Sequence, residues 1–452
     1  MEVERVITIK KMFGGVAVPH KKGLSEKSPV EFAGIPGELV LFLSQHIGAP
    51  SVSTVKPKDA VKRGQVLAEP RGFVSAALHA PTSGVVKAIE PRFHPVQARM
   101  SEAIIVEPDG KHELFEQLSP AVSGLDSISA ERIKALAREI GLVGLGGAAF
   151  PTAVKLAPPE DKPIDTYLLN GAECEPYITA DHRLMLEEAG KVIFGFKASM
   201  KASGVKRGII CIEDNKPDAI ESMKEAMSAY DGLELAVLSA RYPRGGEKQL
   251  IQAVLGREVP PPPGLPFDVG VIVSNVGTAY ALADAILTGL PLVERVVSVT
   301  GEGVANPSNF RALIGTPVSY LIEKAGGFTG TPGKVVMGGP MMGPAVKSLD
   351  VPVVKGTSGI LVLTKEQAAQ EPVLPCIRCG KCIDVCPMGL QPVWMSAYAE
   401  RGLIEEAEGY RVMDCCECGA CTFTCPAKRP LVQWIRMAKA EISSRRNAQR
   451  KS

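Results

Sequence analysis

Nine of the eleven cysteines in this chain fall in two short stretches, PCIRCGKCIDVCPMGLQP from Pro375 and CCECGACTFTCPAKRPL from Cys415. The first places Cys376, Cys379, Cys382 and Cys386 as C-x2-C-x2-C-x3-C-P. The second repeats the pattern with Cys415, Cys418, Cys421 and Cys425. Three thiolates at this spacing wrap one face of a cubane cluster, and the fourth, carried off by the following turn, reaches the other cluster of a pair. The expected ligand sets are therefore Cys376, Cys379, Cys382 and Cys425 for one [4Fe–4S] cluster, and Cys415, Cys418, Cys421 and Cys386 for the other. Zinc also takes four thiolates, but its ligands usually come as two CxxC units separated by a longer loop. Cys416 has the wrong spacing to Cys418 and is read as a non-ligand; Cys174 and Cys211 read as small packing residues. A two-cluster module conducts single electrons, so their source must lie upstream.

Four loops upstream could hold it. GLVGLGGAAFPT, residues 141–152, mimics a dinucleotide fingerprint through Gly144, Gly146 and Ala149. That motif should follow a strand and open a helix; this one follows a helix, and Pro151 interrupts what comes next. It is either a plain glycine-rich turn or a loop whose backbone approaches a flat or phosphorylated ligand, since glycine lacks the obstructing Cβ. Lys155, just beyond, could meet a phosphate. NGAECEP supplies Asn170, Glu173 and Glu175; YPRGGEKQ supplies Tyr242, Gly245, Gly246, Glu247 and Lys248. SNVGTAYA supplies Asn275 and Thr278 and opens a helix whose first amides could hold phosphate. Glu173 and Glu175 suit ribose hydroxyls or ordered water, or are simply solvated loop carboxylates.

The elements that must position these loops read as alternating helices and strands. SISAERIKALAREIG predicts a helix capped by Ser129, with Ile133, Leu136, Ala137 and Ile140 on one face and Gly141 at its end. The apolar runs DTYLLN, RGIICIE, LELAVLS, VGVIVSN and VVSVTG, several separated by helical stretches, predict an open, mainly parallel α/β sheet. Ligands of such sheets bind beyond the carboxyl ends of the strands, where these loops fall. Residues 37–108 read as short strands and turns, like a lipoyl- or biotinyl-carrier sandwich. Its tip, EPRGFVSAALHAP, has no lysine, so no attached biotin or lipoate is expected. From about residue 296 glycine-rich short strands lead to GGPMMGP, whose methionines read as core or as interface.

The expected organisation of this multidomain α/β chain has five parts. Residues 1–120 are an N-terminal segment with the carrier-like β-sandwich, and 121–295 the open, mainly parallel α/β domain that carries the four loops, a flavin-binding domain by the resemblance given below. Residues 296–365 are a small β-grasp-like (SLBB) module, 366–440 a helical ferredoxin-like two-cluster domain, and 441–452 a basic, solvated tail. A length of 452 residues suggests about three domains, long enough that cysteines are not needed as staples. Hydrophobic content of 45% and charged content of 22% suit a soluble globular protein, and a formal charge of +2 gives no argument for nucleic acid. The start, MEVERVITIKKMFGG, lacks a signal-peptide pattern. The longest apolar run, AYALADAILTGLPLV, is broken by Asp284, Gly289 and Pro291, short of the roughly 20 residues a membrane span needs. Dense CxxC spacing without a secretion signal points to a reducing compartment.

The four loops resemble the flavin- and NADH-binding loops of the complex I flavin-carrying subunit. FGGVAVPHKK, the carrier-like sandwich, GGPMMGP and the doubled cysteine run resemble the C subunits of Rnf ion-translocating oxidoreductase complexes. The resemblance covers nearly the whole chain in order. It implies noncovalent FMN at Gly144, Gly146 and Lys155, completed by Asn170, Glu173, Asn275 and Thr278. It implies a nicotinamide site at Phe150 and Glu175, with Gly246 and Glu247 in the matching acidic loop, and NADH as substrate. The sequence departs from complex I at Leu145, where an arginine is usual, and at Ala172, where an aspartate is usual. The implied role is that of a peripheral subunit on the cytoplasmic side of the inner (cell) membrane. It would pass electrons from NADH through FMN and the clusters to integral and peripheral subunits, and indirectly to ferredoxin, coupled to ion movement. Soluble flavin and iron–sulfur reductases of the cobalamin reductase type share the loops but begin near the glycine-rich one. An electron-transfer subunit without flavin is the other alternative, separable by a flavin spectrum.

Overall fold

The structure, a computed structural model, describes residues 6–120, 122 and 124–449. The runs DTYLLN, RGIICIE, LELAVLS and VGVIVSN become the strands Thr166–Gly171, Arg207–Glu213, Leu233–Leu238 and Val271–Asn275. They are buried along most of their length, as parallel strands covered on both faces must be. With Val6–Ile9 they form one all-parallel sheet, in the order Val6–Ile9, Leu233–Leu238, Arg207–Glu213, Thr166–Gly171, Val271–Asn275. From Thr166–Gly171 the chain winds outward to one side, then returns to place Val271–Asn275 on the other. That reversal opens a crevice at the carboxyl ends of these two strands, the place where such sheets bind ligands.

The helix Ala130–Glu139 forms as its sequence dictates: the Ser129 hydroxyl accepts from the Arg132 amide, and Ile133, Leu136 and Ala137 face the core. The helices Ala189–Ser203 and Val276–Thr288 pack so closely that a Cβ on Gly195 would lie 1.8 Å from the Ala279 carbonyl oxygen. Only glycine permits that crossing.

Two expectations change. VVSVTG does not join the parallel sheet. As Glu294–Thr300 it pairs antiparallel with Ser308–Leu313 and parallel with Gly359–Thr364, inside a second five-stranded sheet. The N-terminal segment is not an appendage of the sandwich either. Val6–Ile9 edges the parallel sheet, and Val30–Phe32 edges the second sheet by pairing with Ser308–Leu313. Strands of three or four residues carry too little periodicity to reveal their partners.

The sandwich has a four-stranded sheet, Leu39–Phe42, Arg99–Pro108, Gly84–His94 and Ala60–Val61, and a three-stranded one, Val52–Ser53, Val66–Glu69 and Leu78–His79. It meets the glycine-rich loop through the Ile47 amide, which donates to the Ala149 carbonyl at 3.2 Å.

The cysteine module has a small core of its own: Met395, Ala407, Val412, Ile435, Ala438 and Ile442. Its last helix runs Leu431–Gln449, past the boundary expected at 440. Ala438 and Ile442 stand one turn apart and keep one face buried, so residues 441–449 continue the helix rather than form a loose tail. Residues 450–452 lie outside the described part. No described helix is long and apolar enough to cross a membrane.

Candidate functional site

The glycine-rich loop is held in shape from both sides. The Gly144 amide donates to the Phe150 carbonyl at 2.8 Å, closing the turn. The Leu145 amide donates to Thr278 Oγ1 at 2.9 Å, and the Leu145 carbonyl accepts from Arg295 Nη2 at 3.1 Å. Gly146, Gly147 and Ala148 stay exposed. Gly147 has φ +115°, a region other residues rarely adopt, and a Cβ there would meet nothing within 4 Å. The loop thus leaves its glycine backbone exposed, as close approach of a planar, phosphate-bearing group requires.

The other expected residues converge on the same crevice. Asn275 pairs with Asn170 across the two strands that flank it. Asn275 Oδ1 accepts from the Gly277 amide, capping the helix Val276–Thr288, while its Nδ2 donates to Asp181 Oδ2 at 2.6 Å. A Cβ on Gly146 would sit 3.3 Å from Asn275 Cβ, so loop and cap are in near contact. Asn170 donates from Nδ2 to the Gly245 carbonyl at 2.8 Å. Lys155 Nζ reaches the Val273 carbonyl at 3.1 Å and Glu247 Oε2 at 3.3 Å. Gly246 caps the helix Glu247–Leu255. A cationic amine, a helix N-terminus and a cradle without side chains fit the phosphate and ring of FMN.

Two carboxylates expected at the cofactors also hold the protein's own backbone. Glu173, expected at the flavin, accepts from the amides of Asp181 and His182 and faces Lys22 Nζ at 3.8 Å. Burial pushes its carboxyl upward, and the Lys22 charge opposes the shift. Glu175, expected at the nicotinamide, accepts from the amides of Met341 at 3.1 Å and Met342 at 2.9 Å. Burial pushes it up to about 7. Both oxygens are committed, so Glu175 fastens GGPMMGP to the flavin-domain loops. The methionine motif is accordingly an interface, not core: Met341 packs with Val16, Tyr242 and Cys418, and Met342 is exposed.

Sequence reasoning missed Lys22, Asp181 and Arg295. Lys22 Nζ donates to the carbonyls of Glu175 and Ile178, tying the N-terminal segment beneath NGAECEP. The doubled lysine of PHKK was the available signal for it.

Among the described residues no three cysteines, histidines or carboxylates stand grouped to hold a metal ion; the thiols of the two runs show only as electrostatic neighbours. The Cys382 thiol lies within electrostatic reach of Cys425, Cys376 and Cys379. Cys421 lies within reach of Cys415 and Cys386, whereas the main partner of Cys418 is Cys416, read above as a non-ligand, with Cys421 a weaker one. Burial, reinforced by neighbouring thiols, pushes Cys415 and Cys421 up to about 12, so metal binding there must displace protons. Backbone amides of Leu390 and Glu417 donate to the sulfurs of Cys386 and Cys415, contacts of the kind that tune cluster potential. Cys386, Cys418 and Cys421 are buried, whereas Cys376 and Cys379 are exposed.

One loop joins the two regions. The Tyr242 hydroxyl donates to the Cys418 carbonyl at 2.7 Å, and three residues on, the Gly245 carbonyl receives Asn170 from the crevice. Residues Phe13–Val18 thread alongside: Val16 pairs with Tyr242, and the Gly15 amide donates to the Val385 carbonyl at 2.8 Å. A Cβ on Gly14 would lie 2.7 Å from the Cys386 carbonyl, which explains the paired glycines of FGGV. Cys174, read as packing, packs with Tyr242 and Cys418 at this same junction.

Fold and site together define a flavin and iron–sulfur electron-transfer module. Residues 137–284 match the Nuo51 FMN-binding domain, 10–111 the RnfC Barrel sandwich hybrid domain, 296–345 the SLBB domain and 370–426 the 4Fe-4S dicluster domain. The flavin and dicluster matches cover the glycine-rich loop and most of both cysteine runs; FMN and two [4Fe–4S] clusters are this chain's cofactors. The chain is 48% identical, over 96% of its length and 97% of the relative's, to the C subunit of the Na(+)-translocating ferredoxin:NAD(+) oxidoreductase complex of Acetobacterium woodii. It is 46% identical, over 96% and 94%, to the C subunit of the proton-translocating complex of Clostridium ljungdahlii. With the C subunit of the ion-translocating oxidoreductase complex of Rhodobacter capsulatus it shares 42% identity, over 96% of this chain and 83% of that one. The chain belongs to this family, the C subunits of Rnf ion-translocating oxidoreductase complexes. A solved NAD+-reducing [NiFe]-hydrogenase in the H2-reduced state shares the fold at 20% identity, with a TM-score of 0.51 over 71% of this chain and 64% of that one.

Proposed function

We propose that this chain is the NADH-oxidising, peripheral subunit of a membrane-bound, ion-translocating NADH:ferredoxin oxidoreductase, held on the cytoplasmic side by integral subunits. Held in the crevice, FMN would supply the conversion between an electron pair taken as hydride and the single electrons that clusters carry. The chain's own residues bind and align. Gly144, Gly146, Lys155 and the first amides of helix Val276–Thr288 would hold the flavin phosphate and ring. Asn170, Asn275 and Thr278 brace the loops around it. Phe150, whose carbonyl closes the glycine-rich turn, and Gly246 and Glu247, beside Lys155, would meet the nicotinamide nucleotide. Cys386, Cys415, Cys418 and Cys421 would ligate the inner cluster. Cys376, Cys379, Cys382 and Cys425 would ligate the outer one, whose exposed thiols suit hand-over to a partner.

The observation that carries this reading is the Tyr242–Gly246 loop, bonded to the crevice at one end and to the inner thiolate set at the other. Relatives named for Na+ and for protons are similarly close to this chain, at 48% and 46% identity, so we place the choice of ion elsewhere in the complex. The test is an anaerobic preparation in which iron, sulfide and FMN are counted per chain and the spectrum is recorded before and after NADH. Bleaching of both flavin and cluster bands supports the reading. A flavin that NADH leaves oxidised overturns it. Recovery with integral membrane subunits from native membranes tests the peripheral placement.

A further inference from the structure

Two residues outside the expected set hold the flavin loops from behind. Arg295, 5% exposed, lies at the start of a strand of the second sheet yet reaches across to the glycine-rich loop. Its Nη2 donates to the Leu145 carbonyl at 3.1 Å and its Nε to the Thr357 carbonyl at 3.3 Å. A Cβ on Gly277 would stand 3.4 Å from Arg295 Nη1 and 3.6 Å from Asp181 Oδ1, so both side chains crowd the first turn of helix Val276–Thr288. A buried guanidinium beside the positive end of a helix is costly without a counter-charge, and Asp181 is the carboxylate whose charge acts on it. Asp181 also accepts the Asn275 amide, fixing the cap against which Gly146 lies.

We propose that Asp181 and Arg295 are positioning residues of the flavin site. Asp181 sets the Asn275 cap, and Arg295 sets the Leu145 carbonyl. The exposed backbone of Gly146–Ala148 is thereby pre-shaped for its ligand, and the second sheet is coupled to that shape. Neither side chain needs to touch the flavin. This inference rests on the reading that FMN occupies the crevice.

The test uses the full chain with clusters reconstituted, stripped of flavin and titrated with FMN by fluorescence. The variants are Arg295→Met, Arg295→Lys, Asp181→Ala and, as a control, Ile193→Ala, which removes a core side chain of helix Ala189–Ser203. Arg295→Met and Asp181→Ala are expected to raise the FMN Kd at least tenfold. They are also expected to speed amide exchange across residues 144–149 in the flavin-free protein. Arg295→Lys keeps a cation and one donor and is expected to recover most of the affinity. Ile193→Ala is expected to lower Tm with Kd unchanged. Wild-type Kd and loop exchange in Arg295→Met and Asp181→Ala would overturn the inference, as would an equal loss of affinity in Ile193→Ala. If the wild type itself fails to bind FMN, the functional reading falls instead. Where Asp181→Ala does not fold, Asp181→Leu, close in shape but with neither acceptor nor charge, replaces it with the same expectation.

Discussion

Replacing Tyr242 by phenylalanine tests the junction between crevice and clusters with a single atom. The side chain is 2% exposed, and its hydroxyl donates to the Cys418 carbonyl at 2.7 Å. Phenylalanine keeps the ring's packing against Val16, Cys418 and Ala420. What is lost is the hydrogen bond, and a buried carbonyl left without a partner costs about 1–3 kcal/mol. Spread over the equilibrium between docked and loosened cysteine module, that is about a 5- to 150-fold rise in the loosened population. Amide hydrogen exchange in segment 415–421, compared between wild type and Tyr242→Phe, reads that population directly. Exchange there is expected to quicken by that factor, while the sandwich strand Leu39–Phe42, which shares no hydrophobic cluster with the contact, exchanges as before. Unchanged exchange at 415–421 would refute the reasoning, since the hydroxyl would then contribute nothing to holding the modules together.

Cys425→Ser is expected to lower iron from about eight to about four per chain and to expose Cys376, Cys379 and Cys382 to alkylation. Mass spectrometry showing Cys415, Cys418 and Cys421 labelled instead would contradict crossed ligation. Gly146→Val places bulk against Asn275 and in the crevice, so flavin content should collapse with iron unchanged. A full complement of FMN in the purified variant would count against the crevice. Lys355, 1% exposed, donates to the carbonyls of Ala77 and Gly141, and burial lowers it from 10.5 to about 7. The unfolded chain binds the extra proton between those values, so this group makes stability rise as pH climbs from about 7 to 10.5. Lys355→Met should flatten the rise of the urea midpoint over that window; an unaltered slope would show that Lys355 is not its source.

The two clusters as cofactors were legible because thiolate spacing is local: C-x2-C-x2-C-x3-C-P states its chemistry within twelve residues. The parallel strands were legible for the same reason, as apolar runs bounded by turns. What the sequence hid was long-range. Lys22 and Glu173 are 151 positions apart, and no periodicity could pair them across 3.8 Å. Glu173 and Glu175 look like ligand carboxylates in NGAECEP, but backbone amides of Asp181, His182, Met341 and Met342 claim their oxygens. Val6–Ile9 and Val30–Phe32 were invisible as members of other sheets, because edge strands this short are defined by the partner they find.

The most direct measurement of the central claim, that crevice and thiolate sets form one conducting unit, is rapid freeze-quench electron paramagnetic resonance. The isolated chain, loaded with FMN and both clusters, is mixed anaerobically with NADH and no other protein. Reduced-cluster signals that grow as the flavin absorbance bleaches are the predicted result. A flavin fully reduced while both clusters stay oxidised, though dithionite reduces them, would contradict it.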